Sequence, residues 1–478
     1  MTARIEIINP RTGLADYAIA PLSPDDLAAL ATRMRAAQAG WAARPIEERG
    51  AILKRLGAAI TRHREALTAA LCADTGRAGI SRMEVDSIAG MLARWATSAP
   101  GLVARHSITG FQTGHPTIET DLRLVPYPLV GVISPWNFPL ILALIDAIPA
   151  LMAGCAALVK PSEVTPRFIR PFMAALAEVP ELADVLVLTE GDGATGAALV
   201  PLVDYVAFTG PVATGRRVGE AAARAFIPAS LELGGKDPFI VLASADPEAA
   251  ARTALRASVV NTGQACQSIE RIYVAREIAE PFITALVREA EAVRLNYPDI
   301  NQGDIGPFIF ARQAEIAQAH IDQAVASGAQ VLTGGRVETL GGGKYLRPTV
   351  LVDVTPDMDV ITQESFGPIL PVTVVTSPDE AIALANDSEF GLSGAVYAGT
   401  LDEAEAVGRQ LKVGGVSLND GSLTAIVWET EKSSFGLSGM GPSRMGDSGL
   451  LRFFRRQAII RQRGTPLPLA AYGEGQSA

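Results

Sequence analysis

The sequence predicts an α/β protein that contains two parallel, doubly wound sheets. Strand-like and helical segments alternate along the chain after residue 128, a pattern typical of βαβ units. The length of 478 residues favours two or three domains. The composition, with 48% hydrophobic and 19% charged residues, is that of a globular protein and excludes disorder across the whole chain.

Local sequence patterns predict the following helices and strands, in chain order. Residues 23–96 repeat apolar residues at helical spacing, and Gly76 is expected to end one of these helices. Residues 106–127 alternate Thr, Ile and Val with polar residues, which predicts extended arms or hairpins. The strand candidates of the first alternating stretch are CAALVK, DVLVLTE, DYVAFTG and ASLELGG. Those of the second stretch, residues 237–416, are DPFIVL, RIYVA, AQVLTGG, PTVLVDV and GAVYAG.

The two alternating stretches predict two domains that join near Gly234 and Gly235. The tail from Arg452 to Arg463 holds five arginines and is interpreted as a solvated helix followed by an edge or interface strand. No block of like charge is long enough for a nucleic-acid footprint, and the net charge is −10, so we expect no nucleic-acid partner.

Neither a membrane span nor a secretory signal is expected. The most apolar stretch, residues 128–159, is broken by prolines and polar residues, which indicates buried core. The N-terminal segment has mixed charge and no apolar core region. Cys72, Cys155 and Cys266 lie far apart with no C-x-x-C pair, which favours a reducing compartment and therefore the cytoplasm.

Two glycine-rich turns could hold a phosphate. Gly191, Gly193 and Gly196 match G-x-G-x-x-G, but no acidic residue follows at the expected distance, so we interpret this turn as structural. The second turn, residues 208–215, follows a strand and begins a helix. The free N–H groups and the dipole of such a helix N-terminus favour an anion.

Cys266 is the candidate nucleophile. A polar, turn-forming run, residues 261–265, precedes it, whereas the other two cysteines fit a helix and a strand and are expected to be small core residues. None of the four histidines has a setting typical of catalysis, and no metal-ligand cluster is present in the sequence. Glu232 is the better candidate base, because a carboxyl group at the end of an apolar strand can have a raised pKa.

Along nearly the whole chain, the motifs resemble those of the aldehyde dehydrogenase superfamily. Six segments carry the resemblance in the family's order: residues 135–139 (PWNFP), 160–163 (KPSE), 208–215 (FTGPVATG), 231–236 (LELGGK), 261–266 (NTGQAC) and 364–368 (ESFGP). The resemblance implies a Rossmann-like cofactor-binding domain, a second α/β catalytic domain and a small β arm for oligomerisation. It places the first domain at residues 1–104 and 127–234, the second at 235–440, and the arm at 105–126 and 452–466.

The resemblance also implies the chemistry. Cys266 would attack an aldehyde to give a thiohemiacetal, with the oxyanion bound by the side-chain amide of Asn137 and the N–H of Cys266. Hydride transfer to the nicotinamide would leave a thioester, which water activated by Glu232 would hydrolyse. The implied partners are a small-molecule aldehyde and further copies of the chain, in a homodimer or homotetramer.

The cofactor implied by the resemblance is NAD, with NADP as a weaker alternative. The carboxylate of Glu163 would accept hydrogen bonds from the adenosine ribose and repel a 2′-phosphate. The expected cofactor-binding residues are Ser134, Trp136, Lys160, Ser162, Glu163, Gly210, Gly215, Leu233, Glu364 and Phe366. No metal is expected.

Two departures from the family pattern concern the cofactor and the substrate. Pro211 stands where the family often has Ser, which is expected to weaken the pyrophosphate contact. Residues 419–434, the loop that lines the substrate entrance in the family, are longer than usual. The expected substrate-pocket residues are Phe138, Ile141, Ile145, Ala265, Gln267, Trp428 and Phe435.

These pocket residues are mainly apolar and no arginine indicates a carboxylate clamp, so an apolar aliphatic or aromatic aldehyde is the predicted substrate. The alternatives are a short acidic semialdehyde and, less favoured, a CoA-acylating reaction, against which Glu232 argues. An inactive binding protein on this scaffold and an esterase side activity of the same thiol also remain open.

Overall fold

The computed structural model of the protein describes residues 4–474. The first three residues, which belong to the segment predicted to lack a signal, lie outside the described residues. The strands in chain order are β1 (Ile5–Ile8), β2 (Ala15–Ile19), β3 (Ile108–Gln112), β4 (Ile118–Pro126), β5 (Leu129–Ile133), β6 (Ala156–Lys160), β7 (Leu186–Leu188), β8 (Tyr205–Thr209), β9 (Ala229–Glu232), β10 (Asp237–Val241), β11 (Ile269–Ala275), β12 (Gln330–Thr333), β13 (Val337–Leu340), β14 (Gly343–Leu346), β15 (Thr349–Val352), β16 (Ile369–Val375), β17 (Phe390–Gly391), β18 (Ser393–Tyr397), β19 (Gly415–Leu418), β20 (Phe435–Gly436), β21 (Gly439–Met440) and β22 (Phe454–Gln462).

The helices in chain order are α1 (Pro24–Ala42), α2 (Ile46–Arg62), α3 (Arg64–Thr75), α4 (Gly79–His106), α5 (Pro139–Leu144), α6 (Ala147–Ala153), α7 (Ile169–Leu176), α8 (Gly193–Leu199), α9 (Val212–Ala225), α10 (Pro247–Val259), α11 (Ala279–Ala292), α12 (Ala311–Ala326), α13 (Asp359–Thr362), α14 (Pro378–Asn386), α15 (Leu401–Gly408), α16 (Leu423–Ile426) and α17 (Ser448–Leu451). Among the described residues, no helix is both long enough and apolar enough to cross a membrane.

The first sheet has the strand order β21-β9-β8-β5-β6-β7. Strands β5 to β9 run parallel, and β21 is antiparallel to β9, with Gly439 opposite Glu232. Strands β5, β6 and β8 are buried along their whole length, as expected of a sheet covered by helices on both faces. The strands predicted for this half of the chain are confirmed.

The N-terminal helices pack with the first sheet around one core. Leu53 of α2, Ile88 of α4 and Leu158 of β6 are fully buried in it. Helix α3 ends at Gly76 as predicted, because that residue adopts a left-handed φ of 67°.

The second sheet has the strand order β12-β15-β16-β11-β10-β18-β19, parallel except for β12 at its edge. Its predicted strands are confirmed. Two inner strands, β5 of the first sheet and β16 of the second, were not predicted from the sequence. In β16, Pro371 lies opposite Leu351. A proline within a run argues against a strand, and here the surrounding sheet overrides that local signal. Residues 233–236 link β9 of the first sheet to β10 of the second.

A three-stranded antiparallel sheet, β22-β4-β3, forms an arm at one side. The pairing of β22 with β4 is regular from Phe454 opposite Pro126 to Gln462 opposite Ile118. Arg461 bonds to Glu119 and Asp121 across this pair. The predicted extended arms and tail strand are confirmed. The solvated helix predicted in the tail is wrong, because residues 454–462 are strand and the short α17 lies before the tail.

Candidate active site

The predicted catalytic residues lie where the two sheets meet. Asn137 follows β5, Glu232 ends β9, and Cys266 precedes β11. A cavity of about 410 Å³ lies between these elements. Its lining includes Trp136, Asn137, Gly210, Leu233, Cys266, Phe310, Arg312, Gln313, Glu364 and Phe366.

The loop that carries Cys266 has an unusual backbone. Asn261, Thr262 and Gly263 all have φ between 58° and 70°, in the left-handed region that is costly for non-glycine residues. The neighbouring Gln264 holds this loop in place. Its Nε2 donates to the carbonyl of Asn261 at 3.0 Å, and its Oε1 accepts the N–H of Ile309 at 2.9 Å.

Asn137 is tied to that loop. Its Nδ2 donates to the carbonyl of Gln264 at 3.0 Å. The Nδ2 of Asn261 donates to the same Gln264 carbonyl at 2.9 Å and to the carbonyl of Asn137 at 3.1 Å. These three hydrogen bonds fix the Asn137 amide relative to Cys266.

The environment of Cys266 favours the neutral thiol. Burial raises the pKa of Cys266 to about 12, and the negative charges of Glu232, Glu364 and Asp237 add to the rise. The charge of Arg444 opposes it. A thiol surrounded in this way is mostly protonated at neutral pH, and it reacts through its small thiolate fraction.

Glu232, the candidate general base, is the last residue of β9. Its backbone carbonyl accepts the N–H of Gly210 at 3.1 Å, which fixes the strand end that carries it. Burial raises the pKa of the Glu232 carboxyl, and the charges of Arg444 and Lys432 partly offset the rise. A carboxyl group with a raised pKa is a better general base than an ordinary one.

The structure brings in two cations that the sequence analysis did not assign. Arg444 is buried and bonds to Asp146 and to the hydroxyl of Thr209. Asp146 also pairs with Arg452. Burial would raise the pKa of Asp146, but the two guanidinium groups outweigh this effect and lower it. Asp146 and Arg444 lie 298 residues apart in the sequence, so no local pattern could have predicted their contact.

Lys432, the second cation, lies beside the residue that follows the nucleophile. Its Nζ donates to the carbonyl of Thr424 and lies 3.5 Å from Oε1 of Gln267. Burial lowers the pKa of Lys432, whereas the charges of Glu232 and Cys266 raise it. Within residues 4–474, no carboxylate pairs with this ammonium group.

On the cavity wall, Trp136 and Phe366 make an edge contact, with ring centroids 5.4 Å apart. Beside them, Oε1 of Glu364 accepts the N–H of Gly235 at 3.1 Å. Burial raises the pKa of Glu364 to about 8, and the charge of Glu270 adds to the rise. Gln313, which also lines the cavity and was not predicted, donates through Nε2 to the carbonyl of Ser365 at 2.7 Å.

A second group of predicted cofactor residues lies at the ends of β5 and β6. The Nζ of Lys160 lies 3.2 Å from Oε2 of Glu163 and 3.2 Å from the carbonyl of Gly191. The Oγ of Ser162 accepts the N–H of Val164 at 3.2 Å. The buried Oγ of Ser134 has no hydrogen-bond partner among the described residues.

The two glycine-rich turns differ in their free donors. Oδ1 of Asp192 accepts the N–H groups of Ala194 and Thr195 at 2.9 and 3.2 Å, so these groups of the Gly191–Gly196 turn are already used. This contact supports the structural interpretation of that turn. At α9, Pro211 occupies the cap position and makes no side-chain bond to the helix. A Cβ at Gly215 of this helix would lie 2.4 Å from Cδ2 of Leu233, so only glycine allows the observed packing.

None of the seven predicted substrate residues is part of the lining of the 410 Å³ cavity in the described chain. Ala265 and Gln267 flank Cys266. Phe138 lies under the guanidinium of Arg77 at 5.0 Å, and Ile141 and Ile145 belong to α5 and its C-cap. Trp428 stacks on Arg94 at 4.5 Å, and Phe435 is 48% exposed in β20.

The surroundings of Cys266 predict how its reactivity changes with charge. We expect Glu232→Gln to lower the thiol pKa, because it removes a negative charge that disfavours the thiolate. Alkylation by iodoacetamide, followed from pH 7 to pH 10 without dinucleotide, should then be about threefold to tenfold faster at a given pH. Glu405→Gln, which changes an exposed carboxylate on α15, is the control. An unchanged rate in Glu232→Gln would show that the two groups do not interact, and a slower rate would show that Glu232 activates the thiol instead.

Comparisons with known proteins agree with this geometry. Residues 1–459 match the sequence model of the aldehyde dehydrogenase family. A relative from Mycolicibacterium smegmatis, provisionally named a succinate-semialdehyde dehydrogenase (NADP(+)), is 38% identical over 444 residues, which cover 92% of this chain and 85% of the relative.

Two solved structures extend the likeness to the fold. One, provisionally described as an aldehyde dehydrogenase from Anabaena variabilis, superposes with a TM-score of 0.95 at 51% identity and covers 98% of this chain and 99% of its own. Betaine aldehyde dehydrogenase from Staphylococcus aureus, solved with NAD+, has a TM-score of 0.90 at 29% identity and covers 97% of this chain and 93% of its own. The chain therefore belongs to the aldehyde dehydrogenase family.

Proposed function

We propose that this protein oxidises an aldehyde to a carboxylic acid, with Cys266 as nucleophile, Asn137 as oxyanion donor and Glu232 as general base. One observation carries the proposal. The Asn137 amide is hydrogen-bonded at 3.0 Å to the loop that carries Cys266, on the wall of a cavity large enough for part of a dinucleotide. Glu232 lies close enough for its charge to raise the pKa of the thiol.

In the first step the thiolate of Cys266, formed when the thiol loses its proton to water, adds its sulfur to the carbonyl carbon and places a negative charge on the carbonyl oxygen. An asparagine amide has two hydrogens, and Asn137 gives one of them to Gln264. The other is free to bind the oxyanion together with the N–H of Cys266. Losing one such donor typically costs about 3–4 kcal/mol of transition-state stabilisation.

The second step releases the acid. After the hydride has left, the acyl group is a thioester on Cys266. Glu232 takes a proton from water, the water oxygen attacks the thioester carbon, and the C–S bond breaks to return the thiolate. The raised pKa of the Glu232 carboxyl suits this transfer. Water as acceptor is also why a CoA-acylating reaction is not favoured.

A nicotinamide dinucleotide, NAD or NADP, supplies the hydride acceptor when it is bound. Trp136, Gly210, Leu233, Glu364 and Phe366 would hold its nicotinamide half, since they line the cavity next to Cys266. The unpartnered Ser134 hydroxyl supports a polar ligand near the ends of β5 and β6.

We propose NAD as the preferred dinucleotide. Lys160, Ser162 and Glu163 would bind the adenosine ribose, and the Glu163 carboxylate would repel a 2′-phosphate. The relative from Mycolicibacterium smegmatis carries NADP(+) in its name, whereas the betaine aldehyde dehydrogenase was solved with NAD+. We also propose that Gly215 belongs to the turn that binds the pyrophosphate, and that Pro211 makes this contact weak.

The domain division and the oligomer also remain proposals. Residues 1–104 and 127–234 would bind the dinucleotide, residues 235–440 would carry the nucleophile, and residues 105–126 and 452–466 would join subunits. The arm formed by β3, β4 and β22 supports this, because its strand edges can pair with a second copy.

For the substrate, we propose an aldehyde with an apolar aliphatic or aromatic body. Phe138 caps the start of α5, Ile141 is on this helix and Ile145 caps its end, and no arginine in the sequence indicates a carboxylate clamp. The opposite candidate, an acidic semialdehyde, is favoured by one observation. Lys432 is an ammonium group without a carboxylate partner among the described residues, and it lies beside Gln267 next to the nucleophile. A half-buried cation of this kind suits an anionic ligand.

The packing of Gly215 predicts a specific loss of dinucleotide affinity. Gly215→Ala places a methyl group against Leu233 on the cavity wall, and we expect NAD+ to bind about tenfold more weakly, equivalent to about 1.4 kcal/mol of overpacking. Isothermal titration calorimetry measures this directly. Gly193→Ala is the matched control, since nothing lies within 4 Å of its added Cβ. Equal affinities for both variants would place the dinucleotide elsewhere.

NADH formation at 340 nm tests the reaction and the substrate together. We expect turnover with NAD+ that Cys266→Ala lowers by about 10⁴-fold or more. Hexanal and benzaldehyde should have a higher kcat/KM than succinate semialdehyde, and Lys432→Met should leave that order unchanged. If succinate semialdehyde is preferred and Lys432→Met lowers its kcat/KM by about tenfold to a hundredfold, the acidic candidate is correct. Absence of turnover with every aldehyde, or full turnover by Cys266→Ala, would contradict the proposed function.

A further inference from the structure

A buried ion pair, formed by Arg77 and Glu84, lies next to Asn137 and has no role in the mechanism above. Arg77 is in the turn between α3 and α4, and Glu84 is on α4. Nη2 of Arg77 lies 3.2 Å from Oε1 of Glu84, and both side chains are almost fully buried. Burial raises the pKa of Glu84 to about 7 and lowers that of Arg77 to about 10. Burying an ion pair costs free energy, so we looked for a role of this pair in the neighbouring site.

The glutamate holds the start of α5. Its Oε2 accepts the N–H of Leu140 at 3.1 Å and the N–H of Ile141 at 3.3 Å. The first N–H groups of a helix have no partner within the helix, so Glu84 satisfies two of them. This contact fixes the backbone immediately after the Asn137-Phe138-Pro139 segment.

The arginine holds Asn137 itself. Its Nη2 donates to the backbone carbonyl of Asn137 at 2.6 Å, and its guanidinium covers the ring of Phe138 at 5.0 Å. The same carbonyl accepts the Nδ2 of Asn261 from the nucleophile loop at 3.1 Å. The peptide that carries the oxyanion donor is therefore held by two donors from two directions.

We propose that Arg77 is a positioning residue for the oxyanion donor, and that Glu84 orients it. The inference rests on the proposed function of Asn137. The side-chain amide of Asn137 can serve a developing oxyanion only if its Cα is fixed to within about 0.5 Å. The Arg77–Glu84 pair supplies this constraint from the α3–α4 turn, and the contact from Asn261 to the Asn137 carbonyl supplies it from the nucleophile loop.

The competing explanation is that the pair only stabilises the α3–α4 turn. The chain provides a matched control for that explanation. Arg64 and Asp86 form an exposed pair between the same two helices, with Nη2 2.7 Å from Oδ2. Arg64→Met removes an ion pair between α3 and α4 without touching the Asn137 segment.

A double-mutant cycle with Asn137→Ala separates the two explanations, because only positioning acts through the Asn137 amide. With hexanal and NAD+, we expect Arg77→Met to lower kcat about tenfold to a hundredfold, while KM and the calorimetric Kd for NAD+ change less than about threefold. In the Asn137→Ala background the same change should lower kcat less than about twofold. Arg77→Lys should restore most of kcat, and Arg64→Met should have no effect.

A loss from Arg77→Met that persists in full in the Asn137→Ala background, or no loss in a folded variant, would overturn the inference. If Arg77→Met does not fold, Glu84→Gln takes its place in the cycle. We expect it to lower kcat about threefold to tenfold, again only while Asn137 is present, and additive effects would overturn the inference equally. A wild-type kcat in Asn137→Ala alone would instead contradict the proposed function.

Discussion

The hydrogen bond from the Asn137 amide to the carbonyl of Gln264 is the interaction on which the site depends. It joins the segment after β5 of the first sheet to the nucleophile loop before β11 of the second, at 3.0 Å. The left-handed backbone at Asn261 and Thr262 would be unfavourable alone. The side chains of Asn261 and Gln264 hold it with five hydrogen bonds, of which four reach the carbonyls of Asn137, Gln264, Asn261 and Pro307. The geometry of the site therefore depends on the packing of the two sheets against each other.

Around that bond, the charges are arranged to oppose one another. Three carboxyl groups raise the pKa of Cys266, and Glu364 has a raised pKa of its own. Arg444 acts in the opposite direction, and its own charge is balanced by Asp146. A thiol kept neutral in this way is protected from unwanted reactions.

The sequence predicted most of the fold because strands, helices and their alternation are local patterns. It missed β16, since Pro371 interrupts an otherwise strand-like run and only the neighbouring strands make up for it. The motifs also located Cys266, Glu232 and Asn137, which the structure brings together. The sequence could not indicate that Arg77 contacts Asn137, 60 residues away, or that Lys432 approaches Gln267, 165 residues away. Nor could it indicate that Trp428, expected near the substrate, stacks on Arg94, which is distant in the sequence.

The central claim is that the acyl group is carried by Cys266 and released by Glu232. The most direct measurement is the intact mass of Glu232→Gln after mixing with NAD+ and hexanal, followed by peptide mapping. The account predicts a burst of about one NADH per active site and a hexanoyl adduct on the peptide that contains Cys266, because the thioester forms but water is no longer activated. Steady turnover without a burst, or an adduct on Cys72 or Cys155, would contradict it.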